Sequence, residues 1–226
     1  MSATPAPVVS PVPATKLHEP TTASPPSKTA HWPVWARFLL LNAGLLLYGI
    51  SLAAMIRAGV GLAPWDAFHV GLARVVPGFT IGRASIAVGL VAQLTAYRYL
   101  GMPFGVGSAL NLVLIGLYID LFRPQLPVPA NLLAAWLMFI GGTLGVGLAT
   151  GTYIASNFGA GPRDSLVLGM ARRTNWPVKW LRSGTELLVL AAGWAMGAQV
   201  GWGTLVFALV IGPAMSAGLA LYGLRR

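Results

Sequence analysis

From residue 36 onward the chain alternates long apolar runs with short polar or Gly/Pro-rich breaks. A helix needs about 20 residues to cross a hydrocarbon core of about 30 Å. Six runs approach that length, near 36–57, 82–100, 103–122, 131–155, 180–199 and 202–222. Two shorter apolar pieces, 65–76 and 163–173, follow the first and the fourth of these runs. They are too short to span as ordinary helices, and each is entered through Gly and Pro. Irregular backbone of that kind is tolerated inside a bilayer only where protein covers it or where it lines a wet cavity, so the pattern predicts re-entrant half-helices. Residues 1–34, rich in Pro, Ala and Thr and without helical or strand period, read as a disordered tail.

The two breaks are copies of one another. Gly61-Leu62-Ala63-Pro64-Trp65-Asp66 with Gly71 and Arg74 returns 98 positions later as Gly159-Ala160-Gly161-Pro162-Arg163-Asp164 with Gly169 and Arg172. Upstream, Gly44 and Gly49 fall on Gly142 and Gly147; downstream, Gly105-Val106-Gly107-Ser108 falls on Gly201-Trp202-Gly203-Thr204 at an offset of 96. Several segments in register at nearly one offset indicate a duplicated membrane unit, 35–125 and 130–224. The fold class is an all-α polytopic membrane protein with six transmembrane helices and two half-helices. Three full spans per unit make the repeats inverted, the preferred arrangement; if the short pieces cross, each unit has four spans and the repeats are parallel. With the N-terminus inside, the six-span arrangement leaves Arg57, Arg74, Arg83 and Arg123 outside, and the eight-span one leaves Arg57, Arg98 and Arg163. Length favours six and the positive-inside rule slightly favours eight. Both put the two termini in the cytoplasm.

Composition narrows the function classes. The chain is 56% hydrophobic and 9% charged, against roughly 25% charged in soluble domains, which requires a lipid environment. The absence of Cys excludes disulfides, thiolate metal sites and cysteine nucleophiles. The net charge of +10 sits at the ends of apolar runs, which fits membrane topology and anionic lipid rather than nucleic acid. No metal-ligand cluster, Walker loop or Ser/His/Asp grouping is present, so no enzyme, metal or cofactor is expected.

Five acids exist, and all but Glu19 lie in the membrane region. Asp66 and Asp164 stand two residues after the motif prolines, where Pro64 and Pro162 suit a first helical position and an acid complements the positive helix end. That structural role competes with a functional one, in which the two half-helix starts meet near the midplane and bind a solute or ion. His69 follows Asp66 by one turn and has no repeat counterpart. Arg163 replaces Trp65 in the second copy and can hold an anion or pair with Asp164. Glu186 lies inside the fifth span, one turn after Arg182, so a neutralising i,i+4 pair competes with a substrate or proton site. Asp120 is expected to be solvated at the end of a span. Gly61, Pro64, Gly159, Gly161 and Pro162 are expected to shape the helix starts. Small-residue pairs such as Gly147/Gly151 and Gly193/Gly197 fit close helix packing.

The stretches GLAPWDAFHVGLA, GVGSALNLVLIGLYID, TGTYIASNFGAGPRDSLVLGMARRT and ELLVLAAGWAMGAQVGWGTLVFALVIGP resemble the YczE/YyaS/YitT family of bacterial integral membrane proteins over residues 38–222. The resemblance implies a multi-pass protein of the bacterial plasma membrane and brings no catalytic or binding residues with it. The expectation is a small secondary transporter or permease with a site between the two motifs, in contact with membrane lipids, taking an unknown small solute, with a homodimer compatible with its size. The alternative is a non-transporting membrane scaffold or accessory protein assisting another enzyme or an export system.

Overall fold

The computed structural model describes residues 28–159 and 161–224. Among them are eight helices and no strand: α1 (Val34–Ala58), α2 (Pro64–Val75), α3 (Ile81–Leu100), α4 (Val106–Phe122), α5 (Leu132–Ala155), α6 (Pro162–Thr174), α7 (Val178–Ala195) and α8 (Trp202–Leu221). The helices fall on the apolar runs and on the two short pieces. One run is cut short: α7 stops at Ala195, where Gly197 takes a left-handed φ of 85° and the Ala198 N–H closes on the Gly193 carbonyl. α1, α5 and α8 are long and apolar enough to cross a membrane, and α4 is a shorter apolar helix.

Most of the expected tail, residues 1–27, lies outside the described residues. Residues 28–33 are folded in turns. The Lys28 N–H bonds the Tyr222 carbonyl, and the buried Thr29 hydroxyl donates to the Ala155 carbonyl.

Glycine decides how the helices lie. A Cβ on Gly44 would strike Tyr153, one on Gly142 would strike Met55, and one on Gly145 would strike Ser51. Rising numbers on α1 meet falling numbers on α5, so these two central helices are antiparallel. α4 runs parallel to α1, with Gly49 on Tyr118 and the Arg57 Nε on the Leu126 carbonyl. α8 runs parallel to α5 in the same way, with Gly147 on Ala214 and Gly151 on Gly218. The core sits between these four: Leu41, Leu45, Leu52, Met55, Ile115, Ile119, Phe139 and Val146 are buried there.

The half-helices change partners. α2 packs along the far half of α7, where Gly71 and Ala67 meet Gly193; α6 packs along α3, where Gly169 meets Leu100. Both pairs are parallel, as the meeting of Gly71 with Gly193 and Met196 and of Gly169 with Leu100 and Met102 shows. Proline at N1 and an extended residue before it, Ala63 or Gly161, start each helix. Backbone ties hold the entries. The Gly203 N–H donates to the Val60 carbonyl at 2.9 Å, and the Gly107 N–H donates to the Phe158 carbonyl at 3.1 Å. Gly61 meets the Gly203 and Thr204 backbone so closely that a Cβ has no room, and Gly159 has φ 116°, a conformation that favours glycine. At the other ends, Arg74 bonds the Gly197 carbonyl and Arg173 bonds the Tyr99 carbonyl. Arg172, the counterpart of Arg74 in the motif, lies in the last turn of α6 as well, and the bond to Tyr99 comes from its neighbour Arg173.

Asp120 is not simply solvated. Its carboxylate accepts the Gly82 N–H at 2.8 Å and the Thr80 hydroxyl, so it caps α3 from α4 at the positive helix end.

Candidate functional site

The two half-helix starts meet in one cavity of about 540 Å³. Pro64 and Trp65 stand on one side of it, and Gly161, Pro162, Arg163 and Asp164 on the other. Trp65 and Arg163 each follow the motif proline by one position, and they touch: the guanidinium carbon lies 5.1 Å from the indole centroid. A cation over a Trp face is held by the ring quadrupole. Among the described residues Arg163 makes no ion pair or hydrogen bond, so its planar fork of donors is left for another acceptor.

The second wall of charge comes from α7. Arg182 Nε lies 3.1 Å from Glu186 Oε1, as the i,i+4 spacing predicted, and its Nη1 lies 3.6 Å from Asp164 Oδ1. The link to Asp164 spans two elements and could not be read from spacing. Each side chain of this triad is 36–42% exposed, so it stands in an open space rather than in a sealed core. Tyr153 donates its hydroxyl to Asp164 Oδ2 at 3.3 Å, and its ring stands edge-on to Tyr48 at 6.1 Å. Neither tyrosine was singled out from sequence; their one signal was a polar ring tip inside an otherwise apolar span. Ser85, Asn111, Thr150 and Thr185 also line the space. Thr150 and Thr185 already donate to carbonyls of their own helices, which leaves their lone pairs as acceptors.

Asp66 and His69 do not share this wall. Both are 1% exposed, with Asp66 Oδ1 3.8 Å from His69 Nδ1, and neither carboxylate oxygen has a hydrogen-bond partner among the described residues. Ala67, between them, rests on the Gly193 backbone, so this side of the helix is packed into α7 while Pro64 and Trp65 line the cavity. Of the six candidate side chains, the structure thus gathers Arg163, Asp164, Arg182 and Glu186 and sets Asp66 and His69 behind them. No group of three or more metal-ligating side chains occurs among the described residues. A second hollow of about 490 Å³ lies at the opposite end of the bundle, lined by Gly61, Arg74, Asp120 and Arg123.

The arrangement can take one anionic group on Arg163 and can surround a polar ligand with hydroxyls, while α8 gives the space an apolar side through Phe207, Ile211, Met215 and Leu219.

The model of a Family of unknown function (DUF6198) matches residues 35–218. The Uncharacterized membrane protein YczE of Bacillus subtilis (strain 168) is 38% identical over 179 residues, which cover 78% of this chain and 82% of that protein. An Uncharacterized protein of Haemophilus influenzae is 31% identical over 176 residues, 78% of this chain and 80% of its own. The Uncharacterized protein YyaS of Bacillus subtilis is 24% identical over 173 residues, 75% of this chain and 86% of that one. No solved structure matches.

Proposed function

The chain belongs to the YczE-like family of uncharacterised membrane proteins (DUF6198), and from that premise we propose that it is a small secondary transporter whose site is the cavity between the two half-helix starts. The observation that carries this reading is the meeting of Pro64-Trp65 and Pro162-Arg163-Asp164 in one charged, open space. Discontinuous helices that converge at mid-depth are the usual way a transporter offers backbone and side-chain polarity to a solute.

The same reading takes the two units as inverted repeats with six crossings. Antiparallel α1 and α5, and the paired ties Val60–Gly203 and Phe158–Gly107, support it. Hollows at opposite ends of the bundle are what access from either side requires. The accessory-protein alternative draws support from the sealed Asp66–His69 turn, which is built as packing.

Two labelling measurements on this Cys-free chain test the proposal. Single Cys residues at Phe79 and Trp176, both exposed in the loops after the half-helices, are expected to react with an impermeant thiol reagent from opposite faces of sealed vesicles. Reaction from one face would overturn the inverted arrangement. A single Cys at Ser216, inside the cavity, is expected to react from both faces if access alternates; reaction from one face only would sink transport and favour the accessory role.

A further inference from the structure

The cavity is bounded differently by its two pairs of outer helices. In the first half α3 lies on α4: a Cβ on Gly116 would run into the Gly82 carbonyl and Ile86. Gly212 falls on Gly116 at the 96-residue offset, and nothing lies within 4 Å of where its Cβ would stand. Gly184 on α7 is equally open. α7 and α8 stand apart where α3 and α4 are in contact, and the space between them, a slot beside Gly212 and Glu186, adjoins the cavity that both of these residues line. The helices beside the slot carry the exposed leucines Leu187, Leu188, Leu205 and Leu209, as a lipid-facing surface does.

The cavity wall is also divided in its chemistry. Arg163 and Arg182 balance Asp164 and Glu186 in formal charge, but the charges are not evenly spread. Arg182 sits with both carboxylates, which leaves that group one negative charge in excess, and Arg163 lies over Trp65 without an ion pair among the described residues, with the sealed Asp66 behind it. A ligand with one negative and one positive group leaves the wall balanced. Phosphate oxygens match the Arg163 fork, and an ammonium matches the Asp164–Glu186 side. Opposite them, Phe207, Ile211, Met215 and Leu219 suit the start of an acyl chain. The volume lies in the range of sites that hold a small organic group, about 300–1,000 Å³.

We infer that the cavity takes a zwitterionic amphiphile from the bilayer, with its phosphate and ammonium head between Arg163 and the Arg182 triad and its chain leaving through the slot between α7 and α8. This rests on the cavity being the binding site proposed above, and not on transport through it.

The test is binding to the full chain in maltoside micelles, read as the rise in unfolding temperature with three probes. These are lysophosphatidylethanolamine, lysophosphatidylglycerol with the same chain, and glycerophosphoethanolamine without a chain. The first is expected to bind at least tenfold more tightly than either of the others. Arg163→Gln and Gly212→Trp are each expected to weaken it at least tenfold while the ligand-free unfolding temperature stays near that of the parent. Arg163→Lys, which keeps the charge and loses the fork, is expected to fall between. Equal binding of the chainless head group overturns the amphiphile and leaves a transporter of water-soluble solutes standing. Equal binding of lysophosphatidylglycerol overturns the zwitterion, and no shift with any probe overturns the inference altogether. Selective binding with one-sided labelling at Ser216 keeps the inference and removes transport.

Discussion

In the first half of the chain Pro64 opens a half-helix whose Asp66 and His69 are sealed at 1% exposure; in the second, Pro162 opens one whose Arg163 and Asp164 stand in a cavity. The backbone devices are common to both: proline at N1, a glycine entry, a carbonyl tied to the first turn of a helix from the other half, and an arginine closing the far end. The chemistry differs because side chains that project from equivalent places differ. Trp65 faces Arg163, and Arg182 has Glu186 within reach on the second side. The backbone devices recur at the two motifs, and the polar side chains gathered at the cavity are those in which the motifs differ.

That contrast can be broken at several points. Gly116→Ala is expected to cost about 2–3 kcal/mol, because its methyl group would overlap the Gly82 carbonyl and Ile86 in a packed interface. Gly212→Ala at the matching place is expected to be neutral or to stabilise by up to about 1 kcal/mol through helix propensity alone. Unfolding of the two variants in detergent measures the difference, and equal losses would mean that α7 and α8 are packed as tightly as α3 and α4. Asp66→Asn is expected to raise stability by about 1 kcal/mol, since it removes a buried charge that has no hydrogen bond among the described residues. Asp164→Asn is expected to leave stability within about 0.5 kcal/mol, the usual scale for an exposed ion pair, and to weaken ligand binding instead. A loss of stability at Asp164 as large as any change at Asp66 would erase the distinction between a dry and a wet copy. Within the triad itself, Arg182→Gln is expected to cost about 0.5 kcal/mol by leaving Asp164 and Glu186 uncompensated, and Arg182→Gln with Glu186→Gln to recover part of it. Failure of the double variant to recover would show that Glu186 answers to another partner.

Much of this was legible before the fold. Apolar run lengths located the helices to within a few residues, and Pro64 and Pro162 marked the starts of the short ones because local dihedral preference acts whatever the surroundings. The Arg182–Glu186 pair followed from helical spacing. What escaped were contacts between elements distant in sequence. Asp120 looked like a solvated acid because nothing local shows that Thr80 and Gly82 need a cap from α4. Asp66 and Asp164 looked equivalent because the motif is equivalent; which of them is dry depends on whether α7 or α3 covers the turn. Trp65 and Arg163 read as a substitution in a repeat, and became a contact only when their two half-helices faced each other.

The crossed docking of the half-helices also bears on how the protein is made. α2 rests on Gly193, about 120 residues downstream of Gly71, so at about 5–20 residues per second its seat is synthesised roughly 6–24 s after α2 itself. During that interval the Gly59–Ala63 entry waits for Gly203, its hydrogen-bonding neighbour, which leaves the ribosome later still. The nascent first half therefore holds α2 against α3 alone until α7 and α8 arrive to complete its seat and its entry.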